Sequence, residues 1–191
     1  MSTRTIIRFK QGKEFVDVYQ HSDGYPSSTI PELERFLKWN GTRNDDISYS
    51  VANFVTFGKL ESLIHRIEWA KSDKKSNSLS DSDKIYLKSI KEIFESQQPN
   101  SMGLHTGYGI LGQLSDVELN DGAYDMEFFY VIDFPDNTEA NPFDRDRNIE
   151  IPINVYIPAK DHLKKIGTCT FSTKDGKITN YSKALLKEIE N

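Results

Sequence analysis

The chain reads as an α+β domain, a mainly antiparallel sheet with helices packed on one face, in one domain over 1–191. Three observations predict it. Runs rich in β-branched and aromatic residues stand at both ends of the chain, stripes of helical period lie between them, and turn-forming Gly, Asn and Asp separate the later runs.

The elements follow in order. Residues 3–10 and 14–20 predict an antiparallel hairpin about the turn Gln11-Gly12-Lys13. After Ser27, Ser28 and Thr29 as cap candidates, Pro31-Glu32 is expected to open a helix, with Ile30, Leu33, Phe36 and Leu37 on one face and Asn40-Gly41 ending it. From Ser50 the pattern divides. Ile47, Tyr49, Val51, Val55 and Phe57 fit a strand, whereas Phe54, Phe57, Leu60, Ile64 and Ile67 fit a longer helical stripe, and helix is expected. On it His65 lies off the stripe, in reach of Glu61 and Trp69, as an exposed residue. The Ser-, Lys- and Asp-rich stretch 71–82 reads as a mobile connection, and 83–98 as a further, inserted helix stopped by Gln97-Gln98-Pro99.

The second half turns to strands at 107–114, 123–134, 149–157 and 166–172. Asn120-Asp121-Gly122 and Lys174-Asp175-Gly176 are turn signals, and 183–189 is a short closing helix, so that 135–191 holds C-terminal strands and a helix.

Composition narrows the function classes. In 191 residues, 37% hydrophobic and 28% charged is a globular balance with enough apolar residues for a sizeable core. A net charge of −5 argues against a broad nucleic-acid or anionic-membrane surface, which needs clustered Lys and Arg. No run approaches the length of a membrane span and the start lacks a signal-like apolar stretch, so a soluble cytoplasmic protein is expected. The single cysteine, Cys169, lies in a β-prone run and reads as buried and inert.

Chemistry concentrates in Tyr19-Gln20-His21-Ser22-Asp23-Gly24-Tyr25-Pro26. Asp23 suits an Asx turn, Gly24 is expected to supply a positive φ, and Pro26 holds Tyr25 extended. If the strand stays extended through the motif, His21 and Asp23 project to one side, in reach of each other or of one ligand. An imidazole is the side chain best suited to proton exchange near neutral pH. A His-Asp pair at a strand end also serves simply to satisfy turn backbone.

The opening Ser2-Thr3-Arg4-Thr5, then Val18 through Ser27 with its Y-x-H-x-D-G-Y-P-S order, resembles a family of uncharacterised microbial and phage proteins. The resemblance runs through Phe134 and includes a hydrophobic helix like 51–64 and an aromatic hairpin, matched here by Gly107-Tyr108-Gly109-Ile110-Leu111 and Tyr124 to Tyr130. Residues 71–98 look inserted relative to that pattern, and nothing after Phe134 has a counterpart in it. The resemblance implies kinship, a virus or mobile-element association, and one structural unit containing both turn and hairpin. It implies no activity.

His105, beside Gly107 and Gly109, is expected to face His21 if the strand near 108 pairs with the first hairpin. Two functional readings follow. The first is a non-enzymatic binding module, with Tyr19, His21, Asp23, Tyr25 and Tyr108 framing a recognition surface for a protein or small ligand. The alternative is a small hydrolase or phosphodiesterase in which His21 is general acid or base, Asp23 orients it and His105 is its partner. Neither reading calls for a cofactor or a metal. Asp133, Asp136, Glu139, Asp144 and Asp146 lack the D-x-D-x-D-G order of a calcium loop and read as a solvated acidic loop. Lys160, His162, Lys164 and Lys165 read as a solvent-facing turn.

Overall fold

In the computed structural model the opening hairpin is formed by β1 (Thr5–Gln11) and β2 (Glu14–Gln20). Gln11 pairs with Glu14, and Gly12 takes φ 59° in the two-residue connection, a conformation that glycine adopts freely. The structure describes residues 3–44, 46–58, 85, 108–115, 118–119, 124–136, 148–160 and 162–190. The chain divides into two compact units, residues 1–55 with 107–191, and residues 56–106. The expected connection 71–82, the inserted helix 83–98 apart from Ile85, and His65 all lie outside the described residues.

The first unit continues with helix α1 (Pro26–Asn40), a short 3-10 turn over Gly41–Arg43, and the first residues, 47–55, of helix α2, which is described over 47–58. Strands β3 (Tyr108–Gly112), β4 (Phe128–Phe134), β5 (Glu150–Ala159), β6 (His162–Ser172) and β7 (Lys177–Thr179) follow, then helix α3 (Lys183–Glu190). The seven strands form one sheet in the order β3-β2-β1-β4-β5-β6-β7. Every neighbouring pair is antiparallel except β1 with β4, which run parallel from Thr5↔Phe128 to Gln11↔Phe134. The expected α+β architecture is therefore present, with a parallel pair at its centre and a seventh strand, β7, that follows the Lys174-Asp175-Gly176 turn.

Alternation along the strands decides which side meets the helices. Phe9 lies 6.1 Å from the Phe36 ring of α1 and 5.2 Å from the Phe54 ring of α2, and stacks on Phe134 at 6.0 Å. Ile7, Tyr130, Ile132, Ile151, Ile153, Cys169 and Phe171 complete this fully buried face. At its far side α3 crosses β6 at Gly167, where a β-carbon would stand 2.5 Å from Leu185 Cβ, so only glycine allows this approach. Ser182 caps α3, its hydroxyl accepting from the Leu185 and Thr168 amides.

The opposite face carries a smaller core that the hydrophobic pattern does not announce. Ile6, Leu114, Leu119, Met126 and Phe129 cluster there, with Tyr19 and Leu111 against them. Between them Asp17, fully buried, takes two bonds from Arg8 at 2.8 and 2.9 Å and one from the Leu114 amide at 3.0 Å. Arg8 also donates to the Leu114 carbonyl, at 2.7 Å. This bidentate pair fastens the segment after β3 to the sheet.

Helix α1 begins five residues earlier than its sequence suggests. Pro26 occupies the first turn, where its fixed φ and missing N–H carry no penalty, and Pro31 lies inside the helix. The carbonyl that Pro31 leaves without a donor belongs to Ser27, and both residues are exposed, so water can satisfy it. The buried stripe Ile30, Leu33, Phe36 and Leu37 offsets the loss. At the far end Asn40 donates to Asn44 and Ser50, and Asn44 donates to the Leu37 carbonyl, all between 2.7 and 3.0 Å. The Asn44 amide and the Gly41 N–H thereby satisfy the Leu37 carbonyl at the helix terminus.

Candidate functional site

The corner joining β2 to α1 is built by a series of backbone anchors. Gly24 N–H donates to the Thr3 carbonyl at 3.0 Å, and the Tyr130 hydroxyl donates to the Gly24 carbonyl at 2.9 Å. The Thr29 hydroxyl donates to the Asp23 carbonyl at 3.3 Å, while the Tyr25 carbonyl accepts from the amides of Ser28 and Thr29. Thus the first turn of α1, strand β4 and the segment ahead of β1 all grip the three residues Asp23, Gly24 and Tyr25.

Positive φ falls on Asp23, at 59°, and not on Gly24 as the sequence suggests. Aspartate tolerates the left-handed region because its short polar side chain bonds locally. Gly24 is required for another reason. A β-carbon there would sit 2.8 Å from Thr5 Cβ and 3.0 Å from the Thr3 carbonyl oxygen, so only glycine lets the corner lie against β1. Tyr25, at φ −73° and ψ 155°, is extended as expected ahead of Pro26. Ser27, Ser28 and Thr29, expected as caps, are instead the opening turn of α1, and Thr29 reaches back to Asp23.

β2 ends at Gln20, so the extended path that would have set His21 beside Asp23 stops before His21. His21 turns toward Tyr19: the phenol oxygen lies 3.0 Å from Nδ1 and the rings meet edge-on at 6.0 Å. Tyr19 is itself anchored through its ring to the smaller core. A phenol bonded at Nδ1 occupies the position that a carboxylate would take in a histidine oriented for acid–base chemistry. Asp23 remains exposed, its backbone carbonyl bonded to Thr29.

His21 and Asp23 are exposed, and Tyr25 is 40% exposed, so the corner presents these side chains outward. At the end of β2 Gln20 donates through Nε2 to a Glu32 oxygen at 2.9 Å, both residues buried, and among the described residues Gln20 Oε1 has no hydrogen-bond partner. β3 pairs with β2 so that Gly109 stands opposite Tyr19 and residue 108 opposite Gln20. The strand over 108–112 thus pairs with the first hairpin, as the sequence-based condition requires, while residues 104–107 lie outside the described residues. His105 and the Tyr108 side chain lie outside the described residues.

Elsewhere the expected features take ordinary places. Asp133 pairs with Lys10 at 3.2 Å, while Glu139, Asp144 and Asp146 lie outside the described residues. Lys160, His162, Lys164 and Lys165 are exposed about the β5–β6 turn. Cys169 is fully buried, and burial pushes its thiol up to about 12. Among the described residues no three His, Cys, Asp or Glu are grouped to hold a metal ion, and no helix is long and apolar enough to cross a membrane.

Two anchors were not singled out from sequence. Tyr130 lies in an aromatic run, Phe128-Phe129-Tyr130, and only the three-dimensional placement shows that its hydroxyl holds the corner; Thr29 looks like a cap and acts as a tie. No family model, curated protein or solved structure matches this chain.

Proposed function

We propose that this protein is a non-enzymatic binding module that engages a protein or small ligand through Tyr19, His21, Asp23 and Tyr25 on the β2–α1 corner. One observation carries the reading: exposed aromatic and imidazole rings stand on a backbone whose position is fixed from three sides by Thr3, Thr29 and Tyr130. Recognition gains from such preorganisation, because little conformational freedom is left to lose on binding. Aromatic rings add large contact area with few rotatable bonds. On this reading the chain works in the cytoplasm, is kin to the microbial and phage proteins that its opening resembles, and uses Tyr108 as a further contact.

The test compares the wild type with a His21→Ala/Tyr25→Ala double variant in cross-linked cells of the source organism, with captured molecules identified by mass spectrometry. Both residues are exposed, so the variant should melt within about 0.5 kcal/mol of the wild type. A capture partner lost in the double variant supports the reading. Identical captures, or an esterase or phosphodiesterase activity abolished by His21→Ala alone, would replace it.

A further inference from the structure

Two aromatic rings flank the joint between α1 and α2. Trp39, one residue before the end of α1, is 52% exposed, and Tyr49, in the first turn of α2, is 50% exposed. The backbone that carries them is tied together from within. Asn40, next to Trp39, donates to the hydroxyl of Ser50, next to Tyr49, at 3.0 Å, and its side-chain oxygen accepts from Asn53 at 2.7 Å. Both rings therefore rise from one frame of buried amides.

Cations stand beside the rings. Arg35 and Lys38 share the exposed face of α1 with Trp39, and the Arg43 guanidinium lies over the Tyr49 ring, 4.1 Å from its centre. The described carboxylates between residues 34 and 49 are turned to backbone: Glu34 accepts from the Ile178 amide, and Asp46 from the amides of Ser48 and Tyr49. Among the described residues the ion pairs join Arg4 to Asp125, Arg8 to Asp17 and Lys10 to Asp133, so Lys38 and Arg43 are matched to no carboxylate. In a chain of net charge −5 this is a local positive spot, suited to a slender anion and too small for a broad duplex.

We infer that the α1–α2 joint binds single-stranded nucleic acid, a base stacking on Trp39 while neighbouring phosphates meet Arg43 and Lys38. The mixture of rings and cations selects this partner. A single strand alternates phosphates with unstacked bases, each of which offers a π face to an indole, whereas an acidic peptide answers the charge and leaves the rings unused. A guanidinium stacked on a ring keeps its N–H edge for the bidentate bond that a phosphate accepts. The site lies at the opposite end of α1 from the β2–α1 corner, about 20 Å along the helix, and is independent of it.

Fluorescence anisotropy of labelled oligothymidylate and oligouridylate at low salt tests this, the pair of probes separating DNA from RNA. The wild type is expected to bind at least one of them, and more weakly as salt rises. Trp39→Ala should weaken binding about five-fold or more, and Trp39→Phe should restore most of the loss. Lys38→Gln and Arg43→Gln should each lower the slope of log affinity against log salt by about 0.7. All of these side chains are exposed, so each variant is expected to keep the wild-type melting temperature. His21→Ala/Tyr25→Ala should bind the oligonucleotides as the wild type does, which separates this site from the corner. A wild type that binds neither probe, a Trp39→Ala chain that binds as tightly as wild type, polyglutamate that competes as well as unlabelled oligonucleotide, or binding lost in His21→Ala/Tyr25→Ala overturns the inference.

Discussion

Replacing Tyr130 by Phe removes one oxygen atom from the interior and with it the tether on the corner. The residue is fully buried in the middle of β4, and its hydroxyl donates to the Gly24 carbonyl at 2.9 Å. Burial holds the phenol far above its ordinary range, with the Thr29 hydroxyl acting against that, so it stays a neutral donor at any ordinary pH. Deleting the donor strands an acceptor on a buried residue, at a cost of about 1–3 kcal/mol. For a chain of this size that corresponds to a loss of about 2–12 °C in Tm. Urea unfolding followed by circular dichroism measures the first quantity, and amide exchange at Gly24, Ser28 and Thr29 reports whether the corner loosens before the rest. A Tyr130→Phe protein within about 0.5 kcal/mol of wild type, with corner exchange unchanged, would refute the tether.

Three further outcomes follow from the same contacts. Gly24→Ala forces a β-carbon to within 2.8 Å of Thr5 Cβ and should cost about 1–3 kcal/mol, whereas Gly109→Ala, with open space at its β-carbon, should leave the melting curve nearly unchanged; equal effects would contradict the close approach. Asp17→Ala leaves the Arg8 guanidinium, whose side chain is 12% exposed, without its partner and should cost about 3–5 kcal/mol by urea titration; a loss below about 1 kcal/mol would show that solvent reaches Arg8 freely. Cys169 should resist thiol reagents at pH 8 until the protein unfolds. Because its thiol is raised in the folded state to about 12, the stability that it contributes is complete below the ordinary thiol range and is lost as pH climbs through about 12.

Much of this architecture is legible in local pattern. The first hairpin, the apolar stripe of α1 and the later strands all follow from side-chain periodicity, which reports the burial of one face. Long-range pairing is another matter. Nothing in the residues of β1 or β4 declares that they lie side by side and parallel, and β7 is too short for a periodic signal. Arg8 and Asp17 look like surface charges until Leu114 closes over them. At the corner, the D-G-Y-P order announces a turn, yet it misassigns the work of Asp23 and Gly24. Asp23 bears the positive φ because Gly24 is consumed by its approach to Thr5, and that approach is set by tertiary contact. For the same reason His21 finds Tyr19, since the strand ends before Asp23 can come alongside it.

Backbone amide relaxation across residues 21–25 measures the stiffness on which recognition at this corner depends. Order parameters near 0.85, equal to those of the β1 and β2 amides, are expected on the nanosecond timescale and below, because each anchor acts on the backbone itself. Values below about 0.6 at Asp23 and Gly24 would mean that the rings ride on a mobile loop, and the preformed surface would be contradicted.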